Sequence, residues 1–118
     1  MTAEELLKRY AAGERDFTGV DLNEVNLSGT DLSDINLTNA NLIDANLTET
    51  SLSNANLTDV SLTNAILSGT SLAGVNLTNV DLRSTINFDF STLMGNALLW
   101  KTILPDGTIV ADKIFTED

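Results

Sequence analysis

The chain of 118 residues has no cysteine and no histidine, one proline, and six aromatic side chains. Without cysteine there is no disulfide framework, and the redox compartment leaves no mark on the sequence. Without histidine the commonest general base and the commonest metal ligand are both missing. The few aromatics exclude a bulky globular centre and predict a narrow core of Leu, Val, Ala and Thr. No apolar run approaches the roughly 18 residues of a membrane span, so no membrane association is expected. The amino terminus, MTAEELLKRY, has neither a basic nor an apolar segment of the secretory kind, which predicts a cytoplasmic protein. Positive charge is also scarce: six Lys and Arg face 17 Asp and Glu, for a net charge of −11. Lys8, Arg9 and Arg15 stand near one end and Arg83, Lys101 and Lys113 near the other; between Asp16 and Leu82 lie nine acids and no base. A direct nucleic-acid binder needs the opposite footprint, so that class is excluded.

What the chain does have is repetition. Large apolar residues fall every five positions at Phe17, Leu22, Leu27, Leu32, Leu37, Leu42, Leu47, Leu52, Leu57, Leu62, Leu67, Leu72, Leu77 and Leu82. Two places before each centre, from Val20 to Val80, only Val, Thr, Ile or Ala occurs. Five matches neither the strand period of two nor the helix period of 3.6. The units ANLID (40–44) and ANLTE (45–49), with the variants VDLNE, TDLSD and VNLTN, resemble the pentapeptide repeat family. The resemblance covers residues 15 to about 104. It implies an all-β solenoid, a right-handed quadrilateral β-helix in which each pentapeptide is one side of a square coil and four units close a turn. On that scheme the chain holds about 4.5 coils, with the 14 centres and the small residues before them in the core. Residues 20 apart should then stack. Thr30, Thr50, Thr70 and, after a slip, Thr92 are expected in one inward column, where each hydroxyl needs a buried partner. Thr18, Thr38, Thr58 and Thr78 form a second column just after the centres.

Such a stack needs closed ends. Residues 1–14 are expected to form an amphipathic capping helix over 2–12, opened by the box Thr2-x-x-Glu5 and stopped at Gly13. The repeat is regular over 15–84 and irregular over 85–104. Of two registers for the irregular part, one keeps centres at Phe88, Leu93, Leu98 and Ile103 but buries Ser91, Asn96 and Lys101. The other takes two six-residue steps, with centres Phe88, Met94, Leu99 and Leu104 and with Ile86, Thr92, Ala97 and Thr102 inward. The second is preferred. It turns Leu93, Leu98, Trp100 and Ile103 outward, as a candidate interface. The segment 105–118, opened by the turn PDGT, either folds back over them as a cap or leaves them to a partner or second copy.

Chemical motifs are sparse. Five Asn-Leu-Ser/Thr sequons, at Asn26, Asn36, Asn46, Asn56 and Asn76, follow from the repeat consensus and need no glycan. The acids scatter over all four expected sides without a calcium-loop pattern, and Ser and Thr have no activating base nearby. No catalytic, cofactor or metal site is expected, and no cofactor. The chain reads as a non-enzymatic scaffold or protein–protein interaction module of unknown partner, monomeric or weakly dimeric through its C-terminal coil. The resemblance also implies an alternative, an acidic DNA mimic acting on a type II topoisomerase such as gyrase. Against it, a stack of 4.5 coils is only about 22 Å long. The acids also thin along it, from five in residues 16–35 to two in 36–55 and one in 56–75.

Overall fold

A computed structural model describes residues 1–117. The chain begins with helix α1, Ala3–Ala11. Thr2 caps it, its hydroxyl oxygen accepting the N–H of Glu5 at 3.1 Å. Glu4 and Glu5 in the first turn and Lys8 and Arg9 in the last complement the helix dipole. At the other end Gly13 donates to the carbonyl of Tyr10 (3.0 Å) and Glu14 to that of Arg9 (3.1 Å). These are the paired bonds of a Schellman stop, which demands the φ of +99° found at Gly13. Leu6 is fully buried, with Met1, Ala3, Leu7 and Tyr10 packed beside it on the core. The Tyr10 hydroxyl donates to the carbonyl of Ser33 at 2.7 Å. The helix therefore lies over the first coil and closes it.

From Asp16 the chain winds as a parallel β-solenoid with four five-residue sides per turn. Asp16 bridges Asn36, which bridges Asn56, which bridges Asn76, and the neighbouring sides repeat the same step of 20. The centres donate into the next coil, as Phe17 to Asn36 (2.8 Å) and Leu37 to Asn56 (2.9 Å), except Leu62 and Leu72, which face the irregular last turn. A turn follows every centre. Val25 donates back to Leu22 at 3.1 Å, and the residue before it, Glu24, has a φ of +62°. Positive φ at the third turn position alone is the mark of a type II turn. It recurs at all 13 such positions from Gly19 to Asn79, of which 11 are Gly, Asn or Asp, the residues that tolerate it best. The period of five is thus a short extended segment plus one tight turn.

The core is two-ranked. The leucine centres from Leu22 to Leu82, with Phe17, are buried, and so are Val25, Ile35, Ala40, Ala45, Ala55, Val60, Ala65, Val75 and Val80 before them. Of the threonines in the small position, Thr50 and Thr70 are buried and bond across coils, donating to the carbonyls of Leu27 and Leu47, each at 2.7 Å; Thr30, in the first coil, is half-buried and donates to Leu27 in its own turn at 2.6 Å.

The repeat breaks between Ile86 and Leu98. Ile66 still bridges Ile86 at a step of 20, but Asn76 bridges Leu98 and Asp81 bridges Ile103, a step of 22. The two extra residues are not spread over two six-residue sides, as the sequence suggests. They are gathered into one 3-10 helix, Phe90–Leu93, capped by Asp89, whose carboxylate accepts the N–H of Ser91 at 2.9 Å. One local turn disturbs a single side, whereas two long sides would break the inter-coil ladder twice. Four expectations change with it. Ile86 sits at an outward bridging position and is exposed, Met94 is exposed, and Leu93, expected outside, is buried at 2% exposure. Thr92 does not join the threonine column; its hydroxyl donates to Asp89 in its own turn at 2.6 Å. Beyond the break Ala97, Leu99 and Thr102 are buried.

The chain then reverses. Gly107 donates to Leu104 at 2.8 Å to close the PDGT turn. The tail runs back antiparallel along the last coil, Lys101 donating to Val110 (2.7 Å) and Val110 to Thr102 (2.9 Å). Strand β1, Leu98–Leu99, pairs antiparallel with β2, Ile114–Phe115. Thr116 locks the end, exchanging backbone and hydroxyl bonds with Ala97 and donating its hydroxyl to Leu93. The tail so occupies the edge where another coil would stack, up to residue 117; Asp118 lies outside the described residues. The whole is a rod of 36 × 24 × 23 Å.

Candidate functional site

The sides of the rod are built from one local device. Asn36 Oδ1 accepts both the N–H (3.1 Å) and the hydroxyl (2.6 Å) of Thr38. Asn46 with Thr48, Asn56 with Thr58, Asn76 with Thr78 and Asn26 with Ser28 do the same. The five sequons are therefore Asx turns, which tie down the residue entering each corner. Aspartate serves equally. The hydroxyls of Thr18 and Ser33, then their backbone N–H groups, hold the carboxyls of Asp16 and Asp31 below the usual aspartate range. Arg83 does so for Asp81, chiefly through its guanidinium, at 2.8 Å.

Glu24, Asp34, Asp44, Glu49 and Asp59 occupy exposed turn corners. No group of three or more acids gathers at metal-binding distance among the described residues, and no cleft opens there. Nor is any described helix long and apolar enough to cross a membrane.

The exposed apolar side chains are a different matter. Ile86, Phe90, Met94, Trp100, Ile109, Ile114 and Phe115 are the large apolar residues left exposed among the described residues, and all lie in the last coil or the tail. Of the four residues that the sequence marks as a candidate interface, Leu93 is in the core. Leu98 is half-buried opposite Phe115, and Ile103 is half-buried opposite Ile109. Trp100 is 37% exposed, with the Lys101 ammonium 4.8 Å from its ring centre. The rest of the surface was missed in the sequence. Ile86 extends a ladder from half-buried Ile66, and Phe90 packs edge-on against Phe88 at 5.3 Å. A signal existed: three of the four Phe and the sole Trp fall after residue 86. The Asx-turn sides are polar and alike; the C-terminal end is apolar and irregular.

Comparison with known proteins agrees with this architecture. The family model described as a pentapeptide repeat region matches residues 15–90. Among solved structures, HetL, a pentapeptide repeat protein involved in heterocyst differentiation regulation from the cyanobacterium Nostoc sp. strain PCC 7120, superposes with a TM-score of 0.71 at 31% identity. That match covers 86% of this chain and 40% of HetL. A pentapeptide repeat protein of the Arabidopsis thaliana thylakoid lumen gives a TM-score of 0.60 at 28% identity, over 64% of this chain and 52% of its own. The chain thus spans about half or less of the length of these relatives, and no curated protein matches it. On the matched repeats and the shared coil, the chain belongs to the pentapeptide repeat family, whose members form right-handed quadrilateral β-helices.

Proposed function

We propose that the chain is a non-enzymatic scaffold whose solenoid carries a protein-docking surface at its C-terminal end. One observation carries this reading: the seven exposed large apolar residues all fall between Ile86 and Phe115. Contiguous exposed apolar area marks interfaces in soluble proteins, and aromatics and Met are enriched at the centres of such contacts. A regular β-solenoid supplies the rigid mount. HetL, a relative with a regulatory role, supports a contact with another protein over a purely mechanical role.

The test is a capture experiment with the immobilised chain against a lysate of its source organism. A reproducible partner should be retained by the native chain and by an Asp44→Ala control on a turn corner, and lost from a Phe90→Glu/Met94→Glu variant. Retention by that variant, or capture of nothing by the native chain, would overturn the reading.

DNA mimicry finds less support. The acids of the repeats crowd toward the N-terminal coil, and the rod is 36 Å long in all. Inhibition of gyrase supercoiling at micromolar concentration would reverse that preference.

A further inference from the structure

Outward bridging positions on the coils are polar wherever the repeat is regular, with one side excepted. Two columns end in the apolar residues Leu98 and Ile103, and the tail accounts for both: Phe115 lies opposite Leu98 and Ile109 opposite Ile103. The column Asn26, Asn46, Ile66, Ile86 turns apolar at Ile66, and no described segment pairs beyond Ile86. The tail bonds only to residues between Leu93 and Leu104, so it does not reach this side. The backbone N–H groups of Asn87, Phe88 and Asp89 make no hydrogen bond among the described residues, which leaves the edge there bare. Ile66, Ile86, Phe88 and Phe90 thus form an apolar strip that the fold itself does not cover.

The rim of that strip carries charge of one sign. This side with its two corners comprises residues 24–30, 44–50, 64–70 and 84–90, which hold Glu24, Asp44, Glu49 and Asp89 but no Lys or Arg. All four acids are exposed. Glu49 leans toward the strip: a methyl group built on Gly69, one coil on, would come within 3.2 Å of the Glu49 Cγ. The side chain therefore runs along the axis over Gly69, which has none of its own to obstruct it. Asp89 caps the 3-10 helix between Phe88 and Phe90. The nearest base in sequence, Arg83, is held by Asp81 on the neighbouring side.

Resting on the docking surface proposed above, we infer that this strip takes a basic amphipathic segment of another protein. Its apolar side chains lie on Ile66, Ile86, Phe88 and Phe90, and its Lys or Arg side chains reach Glu49 and Asp89. An apolar centre inside a polar rim is the ordinary anatomy of a protein interface, and here the rim selects the partner. An acidic segment, an anionic lipid surface or a second copy of a chain at −11 would bring like charge against these carboxylates. A basic segment is instead drawn in by the field of the whole molecule. The stems of its Lys and Arg side chains add apolar cover beside the rings.

Titrating the whole, nitrogen-15-labelled chain with a synthetic amphipathic peptide of Leu and Lys tests this by NMR. Amide shifts should cluster at residues 66–69 and 84–90, with a dissociation constant of about 10–100 μM. A twin peptide with Glu in place of Lys should produce none. Ile86→Ser/Phe90→Ser should weaken binding about tenfold, and Glu49→Gln/Asp89→Asn about threefold. Asp16→Asn/Asp59→Asn makes the same change of charge away from this side and should leave the affinity unaltered. Unchanged circular dichroism would show that the variants remain folded. The inference is overturned by absence of binding, by indifference to Ile86→Ser/Phe90→Ser, or by equal losses from the two acid pairs, which would mean diffuse charge attraction. Shifts at the same amides on concentrating the chain without peptide would give the strip to a second copy, and overturn it too. The docking surface is decided separately: partner capture lost with Phe90→Glu/Met94→Glu would uphold it even where the basic peptide fails.

Discussion

Two buried threonines that look equivalent should differ sharply when replaced by valine. Thr50 and Thr102 are both buried in small inward positions, and both donate to a leucine carbonyl one coil back. The Leu27 carbonyl that Thr50 serves has two other donors, the hydroxyl of Thr30 at 2.6 Å and its N–H at 3.2 Å. The Leu77 carbonyl that Thr102 serves, at 2.8 Å, has no other donor among the described residues. Thr102 also accepts the N–H of Trp100 at 3.1 Å. Valine has the right shape in either place, since Val20, Val60 and Val80 fill the column that ends at Thr102. Packing is therefore nearly constant and the polar groups decide. Thr50→Val loses one hydrogen bond whose acceptor remains satisfied, worth about 0.5–1 kcal/mol. Thr102→Val orphans a buried carbonyl and an N–H as well, at about 1–3 kcal/mol for the carbonyl alone. Urea unfolding followed by circular dichroism should give the larger loss for Thr102→Val by at least about 1 kcal/mol. Trp100 fluorescence, which reports the last coil, should shift further still for that variant. Equal losses, or a larger one for Thr50→Val, would show that acceptor satisfaction does not rank these sites.

Three further outcomes follow from the same geometry. Asn56→Asp should leave stability within about 0.5 kcal/mol, because Asp16 and Asp31 make the same Asx turn, whereas Asn56→Ala should lose about 1 kcal/mol in urea titration. Gly29→Ala should cost about 1 kcal/mol at its φ of +70° although nothing lies within 4 Å of the added methyl, and Gly29→Asn should cost less. With Asp16, Asp31, Asp89 and Asp106 held below the aspartate range by hydrogen bonds, their contribution is present above about pH 4 and lost as pH falls through the lowered values. The fourfold Asp→Asn variant keeps the turns without the titration, so its stability should fall less steeply in acid; an unchanged acid limb would refute that origin.

The regular coil was legible because each of its positions answers to one strong constraint. Leucine must face in, a small residue must precede it, and the φ of about +60° at corners such as Asn39 and Asp44 favours Gly, Asn and Asp. The stacking of Thr30, Thr50 and Thr70 was legible for the same reason, since a buried hydroxyl restricts what its neighbours can be. The break was not. Between Arg83 and Leu98 the largest side chains were taken as centres, but Phe88 only packs half-buried against the core, Met94 is exposed, and Leu93 is the buried one. The total of two extra residues could be read from the sequence, while their gathering into one turn could not. That choice depends on Asp89 finding the N–H of Ser91 and on which coil bonds survive. The candidate surface went with it: once Ile86 and Met94 were counted inward, the apolar end looked smaller than it is.

If recognition resides at the C-terminal end, the regular coils act only as a spacer, and their number should be free to change. Duplicating residues 36–55 tests this directly. The inserted coil keeps every column intact, placing a second Thr50 between Thr50 and Thr70 and a second Thr38 between Thr38 and Thr58. It touches neither α1 nor the tail. The rod should lengthen by about 4.8 Å, one strand spacing. Stability should hold or rise, because a solenoid gains one more repeat and one more interface between neighbours. Small-angle scattering would measure the length and urea titration the stability, while partner capture should match that of the native chain. Weakened association by a folded, longer rod would place part of the recognition on the polar sides, and would refute the assignment of docking to Ile86–Phe115.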